Sequence, residues 1–121
     1  MLTIRDEQLS AFAADAAEAF VRRAADEVAR HWPRLARERG SDGLRALVRR
    51  AAAEAERFGL TFEVHVLRFV NLVAAFGEEF YRRPAGWWAA RILSDTRLDP
   101  DTRLDLLVER GCEELRRLGA P

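Results

Sequence analysis

Apolar residues return along this chain with a helical period and almost nowhere with the strict alternation of a strand. From Asp6 to Trp32, the residues Leu9, Phe12, Ala16, Phe20, Ala24 and Val28 make one slowly drifting stripe. Asp15, Glu18, Arg22, Asp26 and Arg30 take the opposite side. A first helix is predicted there, capped by Thr3, with Asp6 and Glu7 near the positive end of its dipole. Pro33 ends or kinks it, because proline lacks an amide hydrogen and disfavours helix at the residue before it. A short helical turn follows to Arg39 and stops at Gly40. The second helix begins after Ser41 or Asp42. Its Leu44, Leu47, Val48, Ala51, Ala52, Ala55 and Phe58 form the cleanest amphipathic pattern in the chain, and Gly59 closes it.

The third helix is predicted from Thr61, as N-cap, to Gly77. Phe62, Val66, Phe69, Val70, Val73 and Phe76 make its main face, and Val64, Leu67 and Leu72 carry apolar character around most of its circumference. A helix apolar on most sides is a central one. The aromatic stretch from Phe80 to Trp88 reads as a loop leading into a short helix over 85–93. Asp99 and Pro100 then mark the start of a last helix, because proline at the first helical position loses nothing by lacking its amide hydrogen. Its inner face is expected to carry Leu104, Leu107, Val108, Cys112, Leu115 and Leu118. The fold class expected is all-α: a compact bundle of about five helices around the central apolar helix 62–76, forming a single domain over residues 1–121.

The chain has 121 residues, 49% of them hydrophobic and 33% charged, a soluble globular balance and not a disordered one. All 20 basic residues are arginine, against 20 acidic ones, so the net charge is zero. A strongly basic nucleic-acid binder is thereby disfavoured. The single cysteine, Cys112, excludes an internal disulfide and suits a reducing compartment. The first residues lack an apolar signal core, and the longest uncharged run, Phe69 to Gly77, is far shorter than the roughly 20 residues of a membrane span. These features predict a cytoplasmic protein that does not engage a membrane.

Catalytic and ligand-binding patterns are sparse. Two histidines and one cysteine are too few for a usual metal site, and no His-x-x-x-His or Glu-x-x-His pair occurs. Ser41 and Ser94 stand at helix boundaries, where capping accounts for them. No Gly-x-Ser-x-Gly elbow, phosphate-binding loop or dinucleotide fingerprint is present. Neither Glu78-Glu79 nor Glu113-Glu114 forms a dyad, since adjacent helical residues do not face each other. Gly111, inside the last helix, points to close approach of another element. No enzyme activity, metal or cofactor is expected. An enzyme built on His65 and a nearby acid ranks behind two other readings. One is a small DNA-binding regulator using the Arg-rich segment 34–50, since residues 20–57 hold ten Arg against six acids. The leading one is protein binding through Tyr81, Arg82, Arg83, Trp87 and Trp88, residue types enriched at binding hot spots. Trp87 and Trp88 project about 100° apart on a helix, so one can pack inward while the other stays at the margin.

A longer pattern runs through most of the chain. It comprises Ile4-Arg5-Asp6-Glu7-Gln8, Phe20, His31-Trp32-Pro33 and Gly43-Leu44-Arg45, then Ala55-Glu56-Arg57-Phe58-Gly59-Leu60-Thr61 and Phe69-Val70-Asn71-Leu72. Phe76-Gly77-Glu78-Glu79-Phe80, Trp88 and Ile92-Leu93-Ser94-Asp95 complete it. In this it resembles a family of small helical proteins encoded in bacterial type VI secretion loci, near spike and PAAR-repeat genes. The resemblance rests on packing and turn signatures and carries no catalytic motif. It implies an accessory role, as adaptor or chaperone for effector loading or as an immunity protein, with a spike, PAAR or effector protein as partner. Homo-oligomerisation stays open, because the apolar central helix can be satisfied within or between chains.

Overall fold

The computed structural model describes residues 6–117, with side chains from residue 14 to residue 117; the expected Thr3 cap and the side chains of Leu9, Phe12 and Leu118 lie outside the described residues. Five α-helices are present: α1 (Asp6–His31), α2 (Pro33–Arg57), α3 (Glu63–Phe76), α4 (Trp87–Leu93) and α5 (Pro100–Arg117). Two 3-10 turns, Phe80–Arg82 and Pro84–Gly86, precede α4. No strand occurs among the described residues, and the fold is all-α. The chain divides into two compact units, Met1–Arg49 and Arg50–Pro121.

In the first unit, α1 buries Val21, Ala24, Ala25 and Val28. Ala16 is exposed and Phe20 only half-buried. A stripe of four-residue steps advances about 40° per step around a helix, so no single face can hold all of it. Val21 and Ala25 complete the inward set instead. Pro33 ends α1 as its chemistry requires. Gly40 then breaks the regular backbone of α2, with φ 71° and ψ 173°, a conformation essentially reserved for glycine. Beyond it Leu44, Leu47 and Val48 are buried. Both oxygens of Glu18 accept hydrogen bonds from Arg49, at 3.3 and 3.0 Å, tying α1 to α2 within this unit. These bonds and the guanidinium charge hold the Glu18 carboxyl below its ordinary range.

The second unit begins with the last turns of α2, which bury Ala51 and Ala55. The end is a Schellman motif: Gly59 N–H donates to Glu56 O at 2.9 Å and Leu60 N–H to Ala55 O at 2.9 Å, with Gly59 at φ 78°. Six of the 14 residues of α3 are buried, among them Phe69, Val70 and Val73. Its start differs from expectation. Phe62, not Thr61, is the N-cap, with no side-chain cap bond, and its ring is 71% exposed. A residue one place before the first turn is not yet on the helical face that its spacing implied.

The last helix is capped as read: the Asp99 side chain accepts from Thr102 N–H at 2.8 Å. Its buried face is rotated. Arg103, Leu104, Leu107 and Gly111 point inward, and Val108, Cys112 and Leu115 are exposed. Two residues cause the turn. Gly111 admits the Phe76 ring, whose Cζ would stand 2.3 Å from a Cβ placed there. Arg103 is buried because its Nη1 donates to Phe58 O at 2.7 Å and Leu93 O at 3.0 Å, two carbonyls at the ends of α2 and α4. A guanidinium suits both helix C-termini by charge and by donor count. No helix among the described residues is long and apolar enough to cross a membrane.

Candidate functional site

The segment between α3 and α4 is shaped by backbone first. Gly77 (φ 99°) ends α3, and Glu79 (φ 56°) is the one non-glycine residue in the left-handed region among the described residues. The chain then winds through two 3-10 turns, with Arg83 extended between them as the residue before Pro84. Gly86 lies against the first turn so closely that a Cβ there would fall 1.9 Å from Phe80 O. The short helix therefore begins at Trp87 and not at Ala85.

This path sends the five predicted contact residues to different surroundings. Trp88 is 5% exposed and packs against Phe76 (6.2 Å between centroids, edge-on) and Phe80 (6.5 Å). Trp87 is 54% exposed, and the Arg110 guanidinium lies 5.7 Å from its ring centre and 5.9 Å from that of Trp88. A cation in this position favours the ring faces and restrains both indoles. Tyr81 is 5% exposed and joins Phe58 (5.3 Å, edge-on) and Phe69 (6.0 Å). Arg82 donates to Glu54 Oε1 at 2.7 Å and Glu79 Oε1 at 3.2 Å. Arg83 lies against Gly77 and donates to Glu78 O at 3.3 Å.

Beside Tyr81 opens a cleft of about 460 Å³, lined by residues of the second unit. Phe69, Val73, Ala51 and Tyr81 supply its apolar surface, and Arg50, Glu54, Arg57, Glu78 and Glu79 its charges. Arg50 grips Glu78 through two bonds of 2.6 and 3.2 Å. Glu54 Oε2 is buried with no hydrogen-bond partner. Burial, reinforced by the negative charge of Glu54, pushes the Tyr81 phenol up to about 12. Sequence spacing gave no sign of this cleft, since its walls come from three separate segments.

No protein-family model matches this chain, and neither a curated protein nor a solved structure matches it.

His65 is buried on α3, with Nε2 3.0 Å from Asp101 Oδ1 of α5. Arg68 adds contacts to Asp101 (3.7 Å) and Asp105 (2.7 Å). His65 Nδ1 is buried without a hydrogen-bond partner and does not line the cleft, and the His65–Asp101 pair ties α3 to α5. Among the described residues, no three His, Cys, Asp or Glu side chains gather as metal ligands. In the Arg-rich segment, Arg45 pairs with Asp42 (3.6 Å), Arg49 with Glu18 and Arg50 with Glu78. Each of those guanidiniums is engaged by a carboxylate.

Proposed function

We propose that this chain is a non-enzymatic, cofactor-free protein-binding accessory of a bacterial type VI secretion effector locus. It acts in the cytoplasm as adaptor, chaperone or immunity-like partner of a spike, PAAR or effector protein. The observation that carries the binding role is Trp87: a large aromatic side chain, more than half exposed, on a short helix fixed by Gly86 and restrained by Arg110. An ordered indole beside a guanidinium loses little entropy on docking and supplies the contact types that dominate interfaces. The secretion setting comes from the sequence resemblance alone.

Co-expression with spike, PAAR and toxin proteins, followed by light scattering on the purified species, tests the reading. A defined complex is expected, and Trp87→Ala is expected to weaken it about tenfold or more, as removal of a hot-spot aromatic does. Trp88→Ala is unsuited to the purpose, because that indole belongs to the core. A chain that stays alone beside every such protein, or a complex indifferent to Trp87→Ala, overturns the proposal.

A further inference from the structure

The C-terminal half of α5 keeps a row of apolar side chains in solvent. Val108 (44% exposed), Cys112 and Leu115 (42% exposed) follow one another at steps of four and three residues. Those steps hold the three within about 60° of the helix circumference, a stripe about two turns long with the spacing of a helix-pairing seam. We infer that a second copy of this chain covers the stripe, its α5 running antiparallel to the first about a two-fold axis beside Cys112.

The charges beside the stripe select that occupant and that direction. Glu109 and Arg116 stand along one edge of it, both exposed. Neither makes a hydrogen bond or ion pair among the described residues, whereas Asp105, on the same edge, is held by Arg68. In a two-fold interface, a residue that meets another is met by it in return. An antiparallel pair centred between Cys112 and Glu113 brings Glu109 of each copy to Arg116 of the other, twice over, and sets Val108 across from Leu115. A parallel pair would turn the same two charges toward the far edge of the stripe, where Leu104 and Gly111 are buried in their own chain, and leave them unmatched. With helix axes about 8–10 Å apart and Cα atoms about 2.3 Å from each axis, the two Cys112 Cα atoms come about 4–6 Å apart, a span that a disulfide bridges. Two turns of one helix bury less than the roughly 1,000 Å² of a lasting interface, so the pair is reversible and forms at high concentration.

The test is sedimentation equilibrium of the reduced full chain over a concentration series, beside oxidation of the same samples with diamide. In the crosslink, two Cys112 thiols give up two protons and two electrons to the azo bond of diamide and form one S–S bond. Expected are a mass that climbs toward two chains with concentration and a crosslinking rate that Val108→Arg lowers about tenfold or more. Glu109→Arg alone should slow crosslinking about tenfold, because two contacts of opposite charge become two of like charge. Adding Arg116→Glu to it should restore the rate at unchanged net charge. The substituted side chains are exposed, and far-UV circular dichroism checks that each variant keeps its helices. The mass of the unaltered chain decides the matter even without them. A chain that stays single at about 1 mM, a Val108→Arg variant that crosslinks as fast as the unaltered chain, or a double variant no faster than Glu109→Arg would each overturn the inference. So would a chain that is single alone but loses a partner-protein complex through Val108→Arg, which gives the stripe to that partner instead.

Discussion

Arg103 meets two helix ends with one nitrogen. Its Nη1 bonds to Phe58 O and Leu93 O while the side chain lies almost wholly buried. Arg103→Met keeps most of the volume and removes the donors, leaving two carbonyls short of partners. The expected loss is about 2–3 kcal/mol, read from the shift of the urea midpoint. Gly111 makes a contrasting case. Gly111→Ala gains helix propensity of about 1 kcal/mol, yet its methyl meets the Phe76 ring, and overpacking of that kind costs about 1–3 kcal/mol. The single variant should therefore be neutral to destabilised, and Phe76→Leu in the same chain should turn the alanine into a stabilising change. Tyr81, the one tyrosine of the sequence, gives a clean pH signature. Its folded-state value of about 12 lies above the unfolded value near 10, so above pH 10 the unfolded chain releases the proton more readily. Stability is unaffected by this group below that point and falls as pH rises from about 10 to about 12. A phenolate absorbance titration run beside alkaline melts checks both halves of the statement.

At the level of elements, α5 carries the sharpest lesson about what a sequence discloses. Its limits were legible, because Asp99 and Pro100 announce a helix start through simple chemistry. Its buried face was legible in part: Leu104 and Leu107 point inward as expected, and Gly111 announced the close approach that the Phe76 ring makes. The inward place of Arg103 had no sign in the spacing, and Val108, Cys112 and Leu115, expected on the inner face, are exposed. Replacing Val108 or Cys112 by Ser should shift stability by no more than about 0.5 kcal/mol, while Leu107→Ala should cost about 2–5 kcal/mol, in parallel thermal melts. The breaks at Pro33, Gly40 and Gly59 were legible for the same reason as the α5 start: each residue has one dominant backbone property. The site was legible only in composition. Spacing identified Tyr81, Arg82, Arg83, Trp87 and Trp88 as a cluster and allowed that the two indoles diverge. It could not place Tyr81 among Phe58 and Phe69, nor reveal a cleft whose walls are 28 residues apart in places, as Arg50 and Glu78 are.

For the whole molecule, the absence of lysine matters more than the zero net charge. Arginine stays charged at every ordinary pH, and the carboxylates are ionised above the acid range. Between those limits few side chains can change charge, and Tyr81, raised to about 12, does so late. Electrophoretic mobility should therefore stay close to zero from about pH 7 to about pH 10, where a lysine-rich chain of equal net charge would begin to turn negative at the upper end. Solubility should recover on acidification and hardly at all on the alkaline side, since like-charge repulsion never builds up there. The many carboxylate–guanidinium pairs at the surface add little individually. The all-α class itself was plain from periodicity, because helices written with a 3.6-residue repeat need no long-range information to be recognised.

The stretch from Pro33 to Gly40 has a consequence for how the chain meets a protease. It is a helical segment cut off at both ends, by a proline that cannot donate and by a glycine outside helical geometry, and none of its side chains is buried. Opening it exposes no core, so it can unwind without waiting for the rest of the protein. Arg34, Arg37 and Arg39 sit inside it, each a site for trypsin. Under brief digestion the first cuts should fall there, while Arg49, more than a turn beyond Leu44 in the packed part of α2 and held by Glu18, is spared.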